Sequence, residues 1–189
     1  IFEVEQVCIE TNTMNYQSYL NCRNFSFILQ LLSSSIFSPV FKLVKKLNIS
    51  WHEIIMSTTN LIKDKKFKGG FKDLYKDFCE ESSNELFESK EKVIEFYSKP
   101  ENYKLLLEGN MGENLLGKYS AKGFFIYKEI LTTIFYVIRK KFNKNYDKEL
   151  HLILNSSEKW LKNLYMIDEI FDEKPKFEKN KQSKLKIDF

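Results

Sequence analysis

Two glycine-bearing steps are the first places where this sequence could do chemistry. Residues 101–119, ENYKLLLEGNMGENLLGKY, set Gly109 and Gly112 beside Glu113 and Asn114 in a leucine-rich stretch, and residues 66–71 read KFKGGF. A phosphate-binding loop needs glycines, then Lys and Ser or Thr, where a helix opens after a strand. Gly117-Lys118-Tyr119 has the wrong internal spacing, and helical rather than strand periodicity precedes it. The stretch therefore reads as a helix stop and restart, with Gly109 at a left-handed cap. His52 and His151 belong to no HExxH arrangement and no Cys-x-x-Cys accompanies them, so a zinc signature is absent. Nothing local supports a Cys79–His52 dyad. The carboxylate pairs Glu80-Glu81, Glu88 with Glu91, Asp168-Glu169 and Asp172-Glu173 are flanked by lysines at helical spacing, as in Glu88 with Lys92. That pattern describes a salt-bridged solvent face, stabilising by a few tenths of a kcal/mol per pair. No residue is assigned a catalytic, cofactor-binding or metal-binding role.

Four residues remain as candidates for contact with a partner or ligand. Cys22-Arg23-Asn24 interrupts a Tyr- and Phe-rich stripe with one of only two arginines, Arg23 and Arg139. A buried or interfacial Arg23 needs a carboxylate partner or a ligand that carries one, whereas an exposed one is an ordinary helix-surface residue. Glu113, Asn114 and Lys118 share a face after the glycine hinge. They could meet a partner domain, or simply cap and solvate the helix that follows.

The elements that must position these residues are helices. Gly and Pro, at 6 and 3 residues, are too scarce for the turns of a many-stranded sandwich, and 43% hydrophobic residues can bury a sizeable core without disulfide or metal. The spacing predicts an all-α domain of six to eight helices over 14–170. A short extended connector or strand precedes it over 1–13, and a charged tail over 171–189 ends in a strand-like KLKIDF. The first helix follows the Thr11-Asn12-Thr13 cluster and runs to about Ser34. Ser38-Pro39 opens the second, and Ser50 with Glu53 makes a capping box for the third. Phe71, Leu74, Tyr75 and Phe78 mark a fourth, and a fifth spans Glu85 to Tyr97. Pro100 starts a sixth that Gly109 closes, one long helix runs from about Glu113 to Lys141, and the last begins near Asp147.

Composition narrows the partners. The net charge is +4, from 30 basic against 26 acidic residues with interleaved signs. Lysines scattered this way, with so few arginines, argue against a nucleic-acid footprint. The longest apolar run, FSFILQLLSSSIFSPVF, is broken by Gln30, serines and Pro39, so no membrane span is expected. Cys8, Cys22 and Cys79 are odd in number and widely spaced, which points to free thiols in a reducing, cytoplasmic compartment. The opening at Ile1 and the alternating ends read as the cut edges of a C-terminal piece of a longer chain.

Two stretches carry a family resemblance. YQSYLNCRNFSFILQLLSSSIFSPVFKLVKKLNIS, with its YL-x-CR step, and FYSKPENYKLLLEGNMGENLLGKYSA resemble the C-terminal helical region of cobalamin-binding radical SAM enzymes. KLKIDF is similar to the short strand that follows the helices there. These are packing signatures, not catalytic motifs. The resemblance implies a non-catalytic accessory domain that packs on or covers the catalytic barrel of its parent. The parent's iron–sulfur cluster, S-adenosylmethionine and cobalamin would be bound elsewhere, because the family's Cys-x-x-x-Cys-x-x-Cys motif has no counterpart in Cys8, Cys22 and Cys79. Val4, Val7, Ile9 and LKIDF are the expected docking patch. The alternative is a free-standing helical protein–protein interaction module.

Overall fold

Side-chain caps set most of the helix starts. The computed structural model describes residues 5–142 and 146–165. Helix α1 (Tyr16–Leu32) opens on Asn15, whose side chain accepts from the Ser18 amide at 2.8 Å. The threonine cluster forms the turn before it, with Thr11 Oγ1 accepting from the Met14 amide at 3.0 Å. A 3-10 turn (Ser35–Phe37) leads into α2 (Ser38–Lys46), which carries Pro39 in its first turn. Helix α3 (Trp51–Lys63) opens on Ser50, which accepts from the Glu53 amide at 3.4 Å, while the Glu53 carboxylate pairs with Lys141 at 3.0 Å. Then follow α4 (Gly70–Asn84), α5 (Lys90–Tyr97) and α6 (Pro100–Leu107). The chain continues through α7 (Leu115–Phe125), α8 (Tyr127–Phe142) and α9 (Asp147–Tyr165).

The fold is all-α, with nine α-helices and no strand among the described residues, one helix more than the sequence pattern predicts. The extra helix comes from a break at Ile126, which divides the long helix expected between Glu113 and Lys141. Two contacts flank that break. Gly123 lets α7 lie against α1 so closely that a Cβ there would stand 2.7 Å from Leu31 Cδ1. Six residues later, Glu129 must reach the start of α4, where its carboxylate accepts from the amides of Gly70 (3.1 Å) and Phe71 (2.9 Å). Gly69, at φ 138°, has no side chain to cap that end, so a carboxylate from α8 does it. The fifth helix also starts later than expected. Helix α4 runs through to Asn84, and α5 begins only after Ser89, which accepts from the Lys92 amide at 3.4 Å. Of the extended ends, residues 5–10 carry no strand, while 1–4 and the KLKIDF end lie outside the described residues. Among the described residues, no single helix is long and apolar enough to cross a membrane.

The apolar stripes converge on one core. Helix α1 packs on α3, α4 and α7, and α8 packs on α3, α4, α7 and α9. The 3-10 turn buries Ile36 and Phe37, and Ser157 on α9 donates to the Ile36 carbonyl at 3.2 Å. Within the α1–α4–α7 stack the contacts fall in layers. At one level Gly123 meets Leu31 and Leu74. At the next, Phe27 stacks on Phe78 with centroids 4.3 Å apart, and Tyr119 meets both edge-on at 6.1 and 5.4 Å. Such aromatic pairs contribute about 0.5–1.5 kcal/mol beyond their area burial. Phe27→Ala is expected to cost about 3–5 kcal/mol in urea unfolding. Phe125→Ala, at a side chain 69% exposed, is expected to stay within about 0.5 kcal/mol of the parent chain.

Candidate functional site

The third layer of the α1–α4–α7 stack is ionic, and it gathers all four residues singled out in the sequence. Arg23 on α1 pairs with Glu85, the residue that caps the end of α4, and lies 3.5 Å from the Tyr19 hydroxyl. Asn114 caps α7, its side chain accepting from the Gly117 amide at 3.2 Å. Lys118, one turn on, reaches Glu81 of α4 at 2.7 Å and Glu113 at 3.5 Å. Tyr119 completes the cluster by donating from its phenol to Glu81 at 2.6 Å. Each of these positions follows from helix geometry. Residues 78, 81, 82 and 85 fall on neighbouring turns of one face, so the stripe that buries Phe78 and Ser82 carries Glu81 and Glu85 at its edge.

Sequence reasoning missed Glu81, Glu85 and Tyr119 as members. In the sequence, Glu81 reads as part of a solvated carboxylate face. The signal was nonetheless present, because the Phe78 stripe continues past position 81 at helical spacing and must meet something there.

Electrostatics lock the cluster in its charged form. Burial pushes the Glu81 carboxyl up, but hydrogen bonds from Lys118 and Tyr119, with the charges of Lys118 and Lys122, outweigh it and hold the group below its ordinary range. The hydrogen bond to Glu81 raises Lys118. Burial, then the contact with Glu81, pushes the Tyr119 phenol well above its usual value. An ionised acid, a protonated lysine and a neutral phenol that satisfy one another are poised to hold helices in place, not to move protons. Other reactive groups are no better placed. Burial pushes the Cys79 thiol up, away from the thiolate form, and His52 and His151 are exposed. Among the described residues, no group of three or more His, Cys, Asp or Glu side chains is gathered to hold a metal ion.

Two clefts flank the cluster. The smaller, about 480 Å³, is lined by Arg23, Glu85, Glu113 and Asn114 over Phe78 and Leu116. The larger, about 940 Å³, lies between the end of α4 and the α5–α6 hairpin, and Val7 and Ile9 of the opening segment line it. The hairpin has no buried residue. Phe87, in the segment before α5, clusters with Phe96 and Tyr97 of α5 at centroid distances of 5.1–6.3 Å. Asn102 Nδ2 donates to the Phe96 carbonyl at 2.9 Å. The hinge after α6 is a helix stop: Gly109 has φ 71°, its amide donates to Leu106 O at 3.2 Å, and the Asn110 amide donates to Leu105 O at 2.8 Å. Those paired bonds are a Schellman motif, so the carbonyls of α6 are satisfied and the glycines present no phosphate cradle. Comparisons of the chain with protein-family models, with curated proteins and with solved structures find no match in any of the three.

The cluster makes stability depend on pH in a definite direction. Glu81 titrates lower in the folded chain, so its contribution is complete above its ordinary value of 4.5 and is lost as pH falls through the depressed one. Lys118 and Tyr119 titrate higher when folded, so their share is present below about pH 10 and is lost as pH rises through their raised values. Glu81→Gln is expected to lower stability by about 1 kcal/mol at pH 7. Thermal melts from pH 3 to 7 should show the parent and E81Q curves converging below pH 4.5. Parallel curves would mean that Glu81 carries no charge-dependent stability.

Proposed function

We propose that this chain is a non-catalytic helical domain that docks onto another protein surface. On the resemblance noted above, that surface is the catalytic barrel of a cobalamin-dependent radical SAM enzyme. The α5–α6 hairpin is the observation that carries the docking reading. It contributes no residue to the core, yet holds Leu107 (70% exposed), Ile94 (45%) and Leu105 (38%) out to solvent beside the larger cleft. A helical pair with no fully buried residue and apolar side chains outward fits a docking surface. Val7 is 51% exposed and lines the same cleft with Ile9, so two residues of the expected docking patch fall together there. Val4 and the LKIDF end lie outside the described residues.

On this reading the iron–sulfur cluster, S-adenosylmethionine and cobalamin belong to the parent's other portions, and the domain packs over or beside their site. Such a parent works in the reducing cytoplasm, which suits free Cys8, Cys22 and Cys79. One observation favours a free-standing interaction module instead. The core is closed and the charges of the ionic cluster are internally paired, so the helices need no barrel to complete them.

The gene upstream of the Ile1 codon separates the two. An in-frame Cys-x-x-x-Cys-x-x-Cys segment encoded there is the expected finding. A start codon immediately before Ile1 would overturn the radical SAM parentage and leave the interaction module.

A further inference from the structure

We propose that the larger cleft takes a short basic segment of a partner protein, one presenting apolar side chains flanked by lysine or arginine. This rests on the docking reading above, but not on radical SAM parentage. Charge is the deciding feature. Among the described residues, Glu5, Glu81, Glu85, Glu88 and Glu113 line the cleft, against Lys90 as the one lining cation. The partners that neutralise three of these acids approach from elsewhere. Arg23 lies on the smaller cleft, and Lys118, which lines neither, serves Glu81 and Glu113 together at 2.7 and 3.5 Å. Glu5 and Glu88 are therefore the lining acids left for a partner's cations, since Arg23 and Lys118 already serve the other three. The Glu88 side chain is 85% exposed and pairs with Lys92 at 3.3 Å, an i,i+4 pair that stabilises weakly.

That polarity sorts the possible occupants. Nucleic acid, a free phosphate and an anionic lipid surface all bring negative charge against these carboxylates. A bare metal ion finds no gathered ligand set among the described residues. A peptide with lysine or arginine meets the acids, and its apolar side chains meet Val7, Leu86, Val93 and Leu107 on the wall. Apolar burial would supply affinity, and the rim acids would set the choice of partner and speed its approach.

The test titrates the full 189-residue chain into two fluorescein-labelled peptides that share their apolar residues and differ only in Lys against Glu at the flanking positions. Anisotropy is expected to show the lysine peptide binding about tenfold tighter or more in 0.05 M salt, with the gap narrowing as screening shortens toward a Debye length of about 3 Å at 1 M. Glu88→Lys should weaken the lysine peptide and strengthen the glutamate one, and Leu107→Ala should weaken both. These side chains are exposed, and melting temperatures near the parent's would show that the variants fold. Equal affinity for the two peptides, lowered by Leu107→Ala, would sink the basic class while leaving the cleft a docking site. Binding of the lysine peptide that neither substitution alters would overturn the assignment to this cleft. Absence of binding by either peptide to the parent chain would overturn the proposal outright, while the upstream reading of the gene would still decide parentage.

Discussion

The position of Tyr119 is the constraint on which the rest of the site depends. Its ring closes the aromatic layer with Phe27 and Phe78, and its hydroxyl emerges from that layer to donate to Glu81. One side chain thus joins the driest part of the α1–α4–α7 stack to its ionic end. Without the aromatic layer the three helices would have no common register, and Arg23, Glu85, Lys118 and Glu113 would not meet. The polar end in turn needs nearly complete satisfaction, because charges at the edge of an apolar stack are costly when unpaired.

The same logic explains the break between α7 and α8. With the corner at Ile126, Gly123 lies close to Leu31 and Glu129 reaches the start of α4. The corner lets α7 belong to the stack with α1 while α8 becomes the buried helix shared by α3, α4 and α9. Gly69 and Gly70 matter here as the place where backbone amides wait for a carboxylate from another helix. The phosphate-loop appearance of KFKGGF has this ordinary cause.

The groups of the ionic cluster satisfy one another. Its acids and lysine are tied to one another, the thiol of Cys79 is held protonated, and the histidines are exposed. The part of the molecule that sends no residue into the core is the α5–α6 hairpin, with outward Leu105 and Leu107, beside a cleft lined by carboxylates. A surface of that kind is suited to holding another chain.

Local signals by themselves determined the fold class and most of the punctuation. Ser50, Pro100 and Gly109 act within a turn of where they stand, so caps and stops are legible from neighbours in sequence. The apolar period of α1, α3 and α4 is local in the same sense. Tertiary structure alone decided which helices meet, and therefore that Arg23 pairs with Glu85, Lys118 with Glu81, and Glu129 with the amides of Gly70 and Phe71, across separations of up to 62 residues. Helix periodicity names a face but not its neighbour, so a glutamate at the edge of a stripe reads the same whether it faces water or an arginine. The break at Ile126 was illegible for a related reason: the apolar helical period continues through it, and the contacts with Leu31 and with the α4 terminus lie far off in sequence.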